Sequence, residues 1–300
     1  MNNEKNRTAS YWSTEGDKIR CELCPHGCLL GNGQVGICKI RRVVNGALIA
    51  EGYGLVSSEN VDPIEKKPLN EFCPGESIYS IGGWGCNFSC SFCQNWTISQ
   101  RGSVVSRELG SGSGELGDRK YCPAEIVKCA IRAGGIGIAY TYNEPLISFE
   151  FVRDCAILVH DAGLKNVLVT NGYINSKPAE ELLPLIDALN IDIKCIDDSF
   201  YVAYCGGHVR PVLDFALQAL SASCHVEITN LLIPGLNDDD SQVIALAKWI
   251  AKNLGQEVPL HLSAYYPQFK LHLSATTLRQ VQHARALALK YLTHVYMGNV

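Results

Sequence analysis

Three cysteines define the chemistry open to this sequence. Cys86, Cys90 and Cys93 lie within Ser80–Gln100 at C-x3-C-x2-C spacing. An apolar, β-prone run over Ile78–Gly83 precedes them, and Gly82, Gly83 and Gly85 let the chain fold tightly there. Three thiolates on one short loop can reach three corners of a compact metal centre. Structural zinc takes four protein ligands, and cubane iron–sulfur clusters take four cysteines. A loop with three leaves one metal open to an added ligand, which suits catalysis better than scaffolding. The plainer readings are buried structural cysteines, or a zinc site completed elsewhere in the chain.

A second group, Cys21, Cys24, Cys28 and Cys38, is threaded by Pro25, Gly27, Gly31, Gly33 and Gly36. That run of turns suits a knuckle around an ion, and four thiols can close a tetrahedral zinc site. An auxiliary iron–sulfur cluster, unmetallated thiols or disulfides are the alternatives, and His26 could enter the shell. The other seven of the fourteen cysteines are scattered, as expected of small buried hydrophobes.

These groups need elements to position them. Residues 1–20 are polar and read as an arm or frayed terminus. Asn45-Gly46 between apolar runs predicts a hairpin, and residues 1–75 form a small Cys-rich β appendage. Residues 76–300 then alternate strand and helix. Strands are expected at 78–83, 136–141, 166–170, 190–195, 225–233, 259–263 and 294–298. Helices are expected near 123–133, 147–162, 177–189, 209–222, 240–254 and 276–290. Arg101–Lys120, rich in Gly and Ser, reads as a flexible loop. This alternation implies an α/β fold with a parallel sheet and right-handed crossovers. Periodicity alone does not separate a closed barrel from an open sheet.

In such folds, functional groups gather at the carboxyl edge of the strands. Polar residues interrupting the apolar strands should meet there: Asn143 and Glu144, Asn171, the pair Asp192 and Lys194 on one face, and His261. Each has a plainer reading. Glu144 could cap a helix, Asn171-Gly172 could be a turn, Asp192–Lys194 a structural ion pair, and His261 a satisfied core histidine.

Hydrophobic content of 47% and charged content of 19% fit a globular enzyme. A net charge of −4 does not indicate charge-driven nucleic-acid binding. No apolar run is long enough to span a membrane and the start lacks a secretory h-region, so a reducing cytoplasm is expected.

The cysteine spacing, with Phe92 just before the last thiol, resembles the motif of the radical S-adenosylmethionine (SAM) superfamily. More narrowly the chain resembles the branch related to pyruvate formate-lyase activating enzyme, and within it the AmmeMemoRadiSam system radical SAM enzymes. The segments Phe200–His208 and Ile233–Asp238 share in that likeness and could shape a substrate entrance. The resemblance implies a partial (β/α)6 TIM-type barrel in which Cys86, Cys90 and Cys93 hold a [4Fe–4S] cluster whose unique iron is chelated by SAM. It places Phe92 at the adenine and Asn143-Glu144 near the amino group, the latter similar to the family's Gly-Gly-Glu-type motif. Asp192 and Lys194 match an Asp-x-Lys pair at the methionyl end, with Asn171 and His261 as further SAM contacts. It also implies an external one-electron reductant, ferredoxin or flavodoxin, and hydrogen abstraction from a protein or peptide. Members of that group carry a tail with another C-x2-C pair after the final strand; this sequence stops at Val300. A non-enzymatic iron–sulfur electron carrier and a zinc-binding scaffold are the competing readings, though neither needs a polar barrel mouth.

Overall fold

The computed structural model of the chain describes residues 7–100 and 119–300. Its first part is built of short antiparallel pairs. β1 (Trp12–Glu15) turns back at Gly16, where φ is +62°, into β2 (Lys18–Cys21), which also pairs β3 (Leu29–Leu30). The arm expected over residues 1–20 is therefore a hairpin from Trp12 onward, with Ile19 buried beneath it. β1 buries no side chain and β2 buries two, which leaves too little alternation to read in advance. β4 (Arg41–Val44) and β5 (Ala47–Ala50) close over Asn45 and Gly46, both at positive φ, as the dipeptide predicts.

β6 (Leu55–Val56) leads into β7 (Ser58–Pro63), which leaves this unit and pairs antiparallel with β8 (Ser77–Gly82). The main sheet then grows one strand at a time. β9 (Arg119–Lys120) pairs only β6, so these last two residues of the expected 101–120 loop form a strand; the rest of that loop lies outside the described residues. β10 (Gly137–Tyr140), β11 (Lys165–Thr170), β12 (Ala188–Asp192), β13 (His225–Leu232), β14 (Leu260–Ala264) and β15 (Val295–Gly298) continue from β8, every pair parallel and in chain order. A sheet whose order never reverses winds in one sense, which is barrel winding rather than the doubly wound pattern. Among the described residues β7 and β15 remain unpaired ends, so the barrel is partial.

α1 (Trp96–Ser99) follows the cysteine loop. The crossovers are α2 (Pro123–Ala133), α3 (Phe149–Asp161), α4 (Ser176–Leu182), the short α5 (Asp198–Phe200) with α6 (Val209–Ser221), α7 (Asp240–Asn253) and α8 (Leu278–Ala288). Asn175 opens α4, and Gly163 and Gly255 sit at positive φ just past α3 and α7, as the caps predict.

Residues 64–72, before the first parallel strand, run beneath the sheet. Ile64 and Leu69 pack on Ile78, Ala139, Val167 and Ala188. Asn190 Nδ2 donates to Pro68 O at 2.8 Å, and the N–H groups of Asn70 and Glu71 donate to Glu227 at 3.0 and 2.8 Å. This strip ties the β7 side to the β13–β15 side and floors the barrel.

Candidate active site

β8 runs out at Gly82 into the loop that carries the three thiols, and this loop is clamped mainly through its backbone. Gly83 N donates to Asn143 Oδ1 at 2.8 Å, and Asn143 Nδ2 donates to Gly85 O at 3.1 Å. Gly85 sits at φ +80°, where a Cβ would lie 2.2 Å from Cys38 O, so only glycine fits. On the far side Ser89 N donates to Cys205 O at 2.8 Å and Ser91 N to Tyr204 O at 2.9 Å. These carbonyls belong to a π-helical turn, Tyr201–Cys205.

Cys86, Cys90 and Cys93 border one cavity of about 380 Å³. Phe88 N donates to Cys86 Sγ at 3.3 Å, and Asn171 Nδ2 lies 3.7 Å from the same sulfur. Burial pushes the Cys86 thiol up. For Cys90 the contact with the Cys205 thiol and then burial act in the same direction. Burial and Cys90 lift Cys93 to about 11, while Lys194 pulls both Cys90 and Cys93 back. Desolvated thiols of this kind gain most from a cation that takes over their protons' role. Among the described residues no three donors are drawn to a single ion. The three sulfurs border a cavity with room for a multi-metal cluster and a ligand beside it.

The other expected residues mostly converge here. Phe92, Asn143, Glu144, Asn171, Asp192 and Lys194 all line the cavity. Glu144 is buried and accepts from Thr170 Oγ1 at 2.6 Å, Asn171 N at 2.7 Å and Leu146 N at 2.9 Å, capping the turn over Pro145–Ser148. Burial raises its carboxyl to about 7, against the pull of those donors. Asn171 Nδ2 also reaches Asn87 Oδ1 at 2.9 Å, so this side chain orients the cysteine loop. Asp192 and Lys194 pair at 2.8 Å. Burial would lower the Lys194 ammonium, yet Asp192 and Cys90 outweigh it and hold the charge on.

His261 is the exception. It does not line the cavity; its Nε2 lies 2.6 Å from Glu227 Oε2, and its ring stacks on Tyr296. Ser263, two residues further along the same face of β14, borders the cavity instead. Glu227 gave no motif to betray that it would claim the histidine.

Several contributors carry no sequence signal. Tyr201 OH accepts from Lys194 N at 2.9 Å, and the Lys194 carbonyl accepts from Asn237 Nδ2 at 2.7 Å and Asn230 Nδ2 at 3.1 Å. Thus the Phe200–His208 and Ile233–Asp238 segments supply supports for Lys194. Lys67, from the floor strip, borders the cavity and pairs with Asp62 at 2.6 Å. Tyr142, whose OH donates to Asp62 at 2.8 Å, adopts φ +69°, a strained backbone for a bulky residue. Asn190 Oδ1 and Thr229 Oγ1 are buried with no protein partner, and both residues line the cavity. Unpartnered polar atoms in a buried wall are what a ligand with its own polar groups would satisfy.

A model of the Radical SAM superfamily matches residues 81–247. An uncharacterized protein of Methanocaldococcus jannaschii is 40% identical over 97% of this chain and 84% of its own length. The pyruvate formate-lyase-activating enzyme of Clostridium pasteurianum is 28% identical over 61% of this chain and 72% of its own. Among solved structures, Streptococcus suis SuiB bound to S-adenosylmethionine overlays with a TM-score of 0.55 at 13% identity, covering 72% of this chain and 48% of SuiB. Escherichia coli QueE overlays at 0.51 and 14% identity, covering 82% and 94%. The fold matches these neighbours, and the matched segment contains the loop of Cys86, Cys90 and Cys93: the chain belongs to the radical SAM superfamily.

Proposed function

We propose that Cys86, Cys90 and Cys93 hold a [4Fe–4S] cluster and that SAM binds in the adjoining cavity for hydrogen abstraction from a partner protein or peptide. The observation that carries this reading is that unpartnered Asn190 Oδ1 and Thr229 Oγ1, and the Asp192–Lys194 pair, belong to residues lining the same cavity as three desolvated thiols. The thiol donors, with N–H groups aimed at Cys86, fit such a cluster. When bound, the cluster supplies the electron that splits the SAM sulfonium into methionine and a 5′-deoxyadenosyl radical able to take hydrogen from a substrate.

The chain's own residues bind and orient. Lys194 meets the SAM carboxylate, while Asp192, Glu144 and Asn190 Oδ1 accept from its ammonium. Thr229 and Ser263 face the ribose, and Phe92, packed on Phe200, offers an apolar edge to adenine. Buried walls keep water from the reacting carbon. The named activity of the pyruvate formate-lyase-activating relatives favours a protein substrate, and a ferredoxin or flavodoxin would supply the electron. Among the described residues no helix is long and apolar enough to cross a membrane, and we place the enzyme in the reducing cytoplasm.

Anaerobic reconstitution with iron and sulfide, followed by dithionite and SAM, tests this. 5′-Deoxyadenosine is expected, and replacing Cys86, Cys90 or Cys93 with Ala should abolish it while Cys155→Ala leaves it intact. Deoxyadenosine formed by Cys90→Ala would overturn the assignment. A colourless, zinc-bearing product at this loop would favour the scaffold reading.

A further inference from the structure

The N-terminal thiols are built into two tight turns. Gly27 N donates to Cys24 O at 3.1 Å inside a loop closed by Cys21 N, which donates to Cys28 O at 2.9 Å, and Lys39 N donates to Gly36 O at 2.9 Å in the second turn. Lys39 is held at φ +69° immediately after Cys38, a conformation its side chain resists. All four cysteines are free, and Cys21, Cys24 and Cys38 are buried.

Two further observations point to an occupant. A Cβ on Gly36 would sit 3.8 Å from Cys28 Sγ, 3.8 Å from Cys38 Sγ and 3.7 Å from Arg41 O, so the two sulfurs flank one point beside the Gly36 backbone. Sulfurs ten residues apart that face one point are placed to share an ion. Arg41, 1% exposed, brings Nη1 to 3.8 Å from Cys21 Sγ, and its Nε has no hydrogen-bond partner. Its other side meets Glu150. The guanidinium thus sets a buried donor against the Cys21 sulfur while Glu150 and Ser10 O hold it in place.

We propose that Cys21, Cys24, Cys28 and Cys38 bind a single zinc ion, and that this site braces the loop carrying Cys86, Cys90 and Cys93. Among the described residues no three donors stand at single-ion spacing, so binding has to draw the four sulfurs together. Zinc, at about 2.3 Å from each sulfur, closes them. The brace runs through two contacts. His26 Nε2 lies 2.7 Å from Asn87 O, and the Cys38 carbonyl abuts Gly85.

The test is made independent of the SAM reading by using the full chain with Cys86, Cys90 and Cys93 replaced by Ala. Metal analysis of this protein should find one zinc per chain and neither iron nor labile sulfide. Adding Cys24→Ser should remove the zinc. A folded triple variant without zinc, judged folded by circular dichroism, overturns the site, and iron with sulfide overturns the ion. Because Cys24→Ser could unfold the knuckle, cobalt is exchanged into the triple variant as well. Intense visible bands of tetrahedral, thiolate-bound cobalt are expected, and a pale octahedral spectrum refutes the ligand set. For the brace, His26→Ala in the chain with its other cysteines intact should keep the zinc and shift the electron paramagnetic resonance of the reduced cluster. An unchanged spectrum overturns the brace.

Discussion

Glu227 is the clearest place to test how the barrel floor is held. Its carboxylate is fully buried and accepts from Asn70 N, Glu71 N, His225 Nε2 and His261 Nε2 at 3.0, 2.8, 2.9 and 2.6 Å. Burial alone would raise its pKa, yet these four contacts pull it from 4.5 to about 2. The folded value is the lower one, so the carboxylate contributes stability above pH 4.5 and that contribution fades as pH falls toward 2. A shift of about 2.5 units corresponds to about 3 kcal/mol at pH 7. At pH 3 about half of it is gone by the same relation. Glu227→Gln keeps the shape but turns an N–H toward donors, so it should cost about 3 kcal/mol at neutral pH, in line with an unpaired buried donor set. Equilibrium urea unfolding of both proteins, at pH 7 and pH 3, measures the difference. We expect the gap to shrink by about 1–2 kcal/mol on acidification. A gap below about 1 kcal/mol at pH 7, or one that does not change with pH, would refute the reasoning.

Glu144 should show the opposite sign. Its folded pKa of about 7 lies above the usual carboxylate value of 4.5, so stability present below pH 4.5 is lost as pH rises to 7. That loss amounts to about 3 kcal/mol, and Glu144→Gln should flatten it in urea unfolding; an equally steep Gln variant would sink the idea. Tyr201→Phe removes the acceptor for Lys194 N–H, so we expect weaker SAM binding with an unchanged iron content, measured by equilibrium dialysis. Equal affinity in the two proteins would mean that Tyr201 does not position Lys194. Gly85→Ala combines a positive φ with a 2.2 Å approach to Cys38 O, so iron incorporation at the neighbouring cysteines should fall sharply. Full incorporation would show that the loop can shift freely.

The parallel strands β8 and β10 to β15 were legible because apolar residues recur along them between turn residues, and their polar ends foretold most of the cavity. Asn143, Glu144, Asn171, Asp192 and Lys194 lie at the predicted mouth because period two and the direction of the strands leave little choice. What escaped depends on partners distant in sequence. Residues 1–20 read as a polar arm because the hairpin that starts at Trp12 buries few side chains. The floor strip at 64–72 has no periodicity, since its place is fixed by Glu227 and Asn190 through its own backbone. His261 lies on the expected strand, but a carboxylate on the neighbouring strand holds it below the cavity. Asn230, Asn237 and Tyr201 act on the Lys194 main chain, and a contact to main chain leaves no residue pattern.

The unpaired ends of the sheet have a mechanical consequence. Around the rest of the barrel, parting two neighbours means breaking a ladder of main-chain hydrogen bonds. Between β7 and β15 no such ladder exists among the described residues. The floor strip spans that gap, and near β15 its Glu71 carboxylate meets only the side chains of Tyr296 and His294. The seam is therefore held by the strip's grip on Glu227 and Asn190 and by these side-chain contacts, not by strand pairing. Parting the barrel along this line would leave the pairing of every strand in the sheet intact.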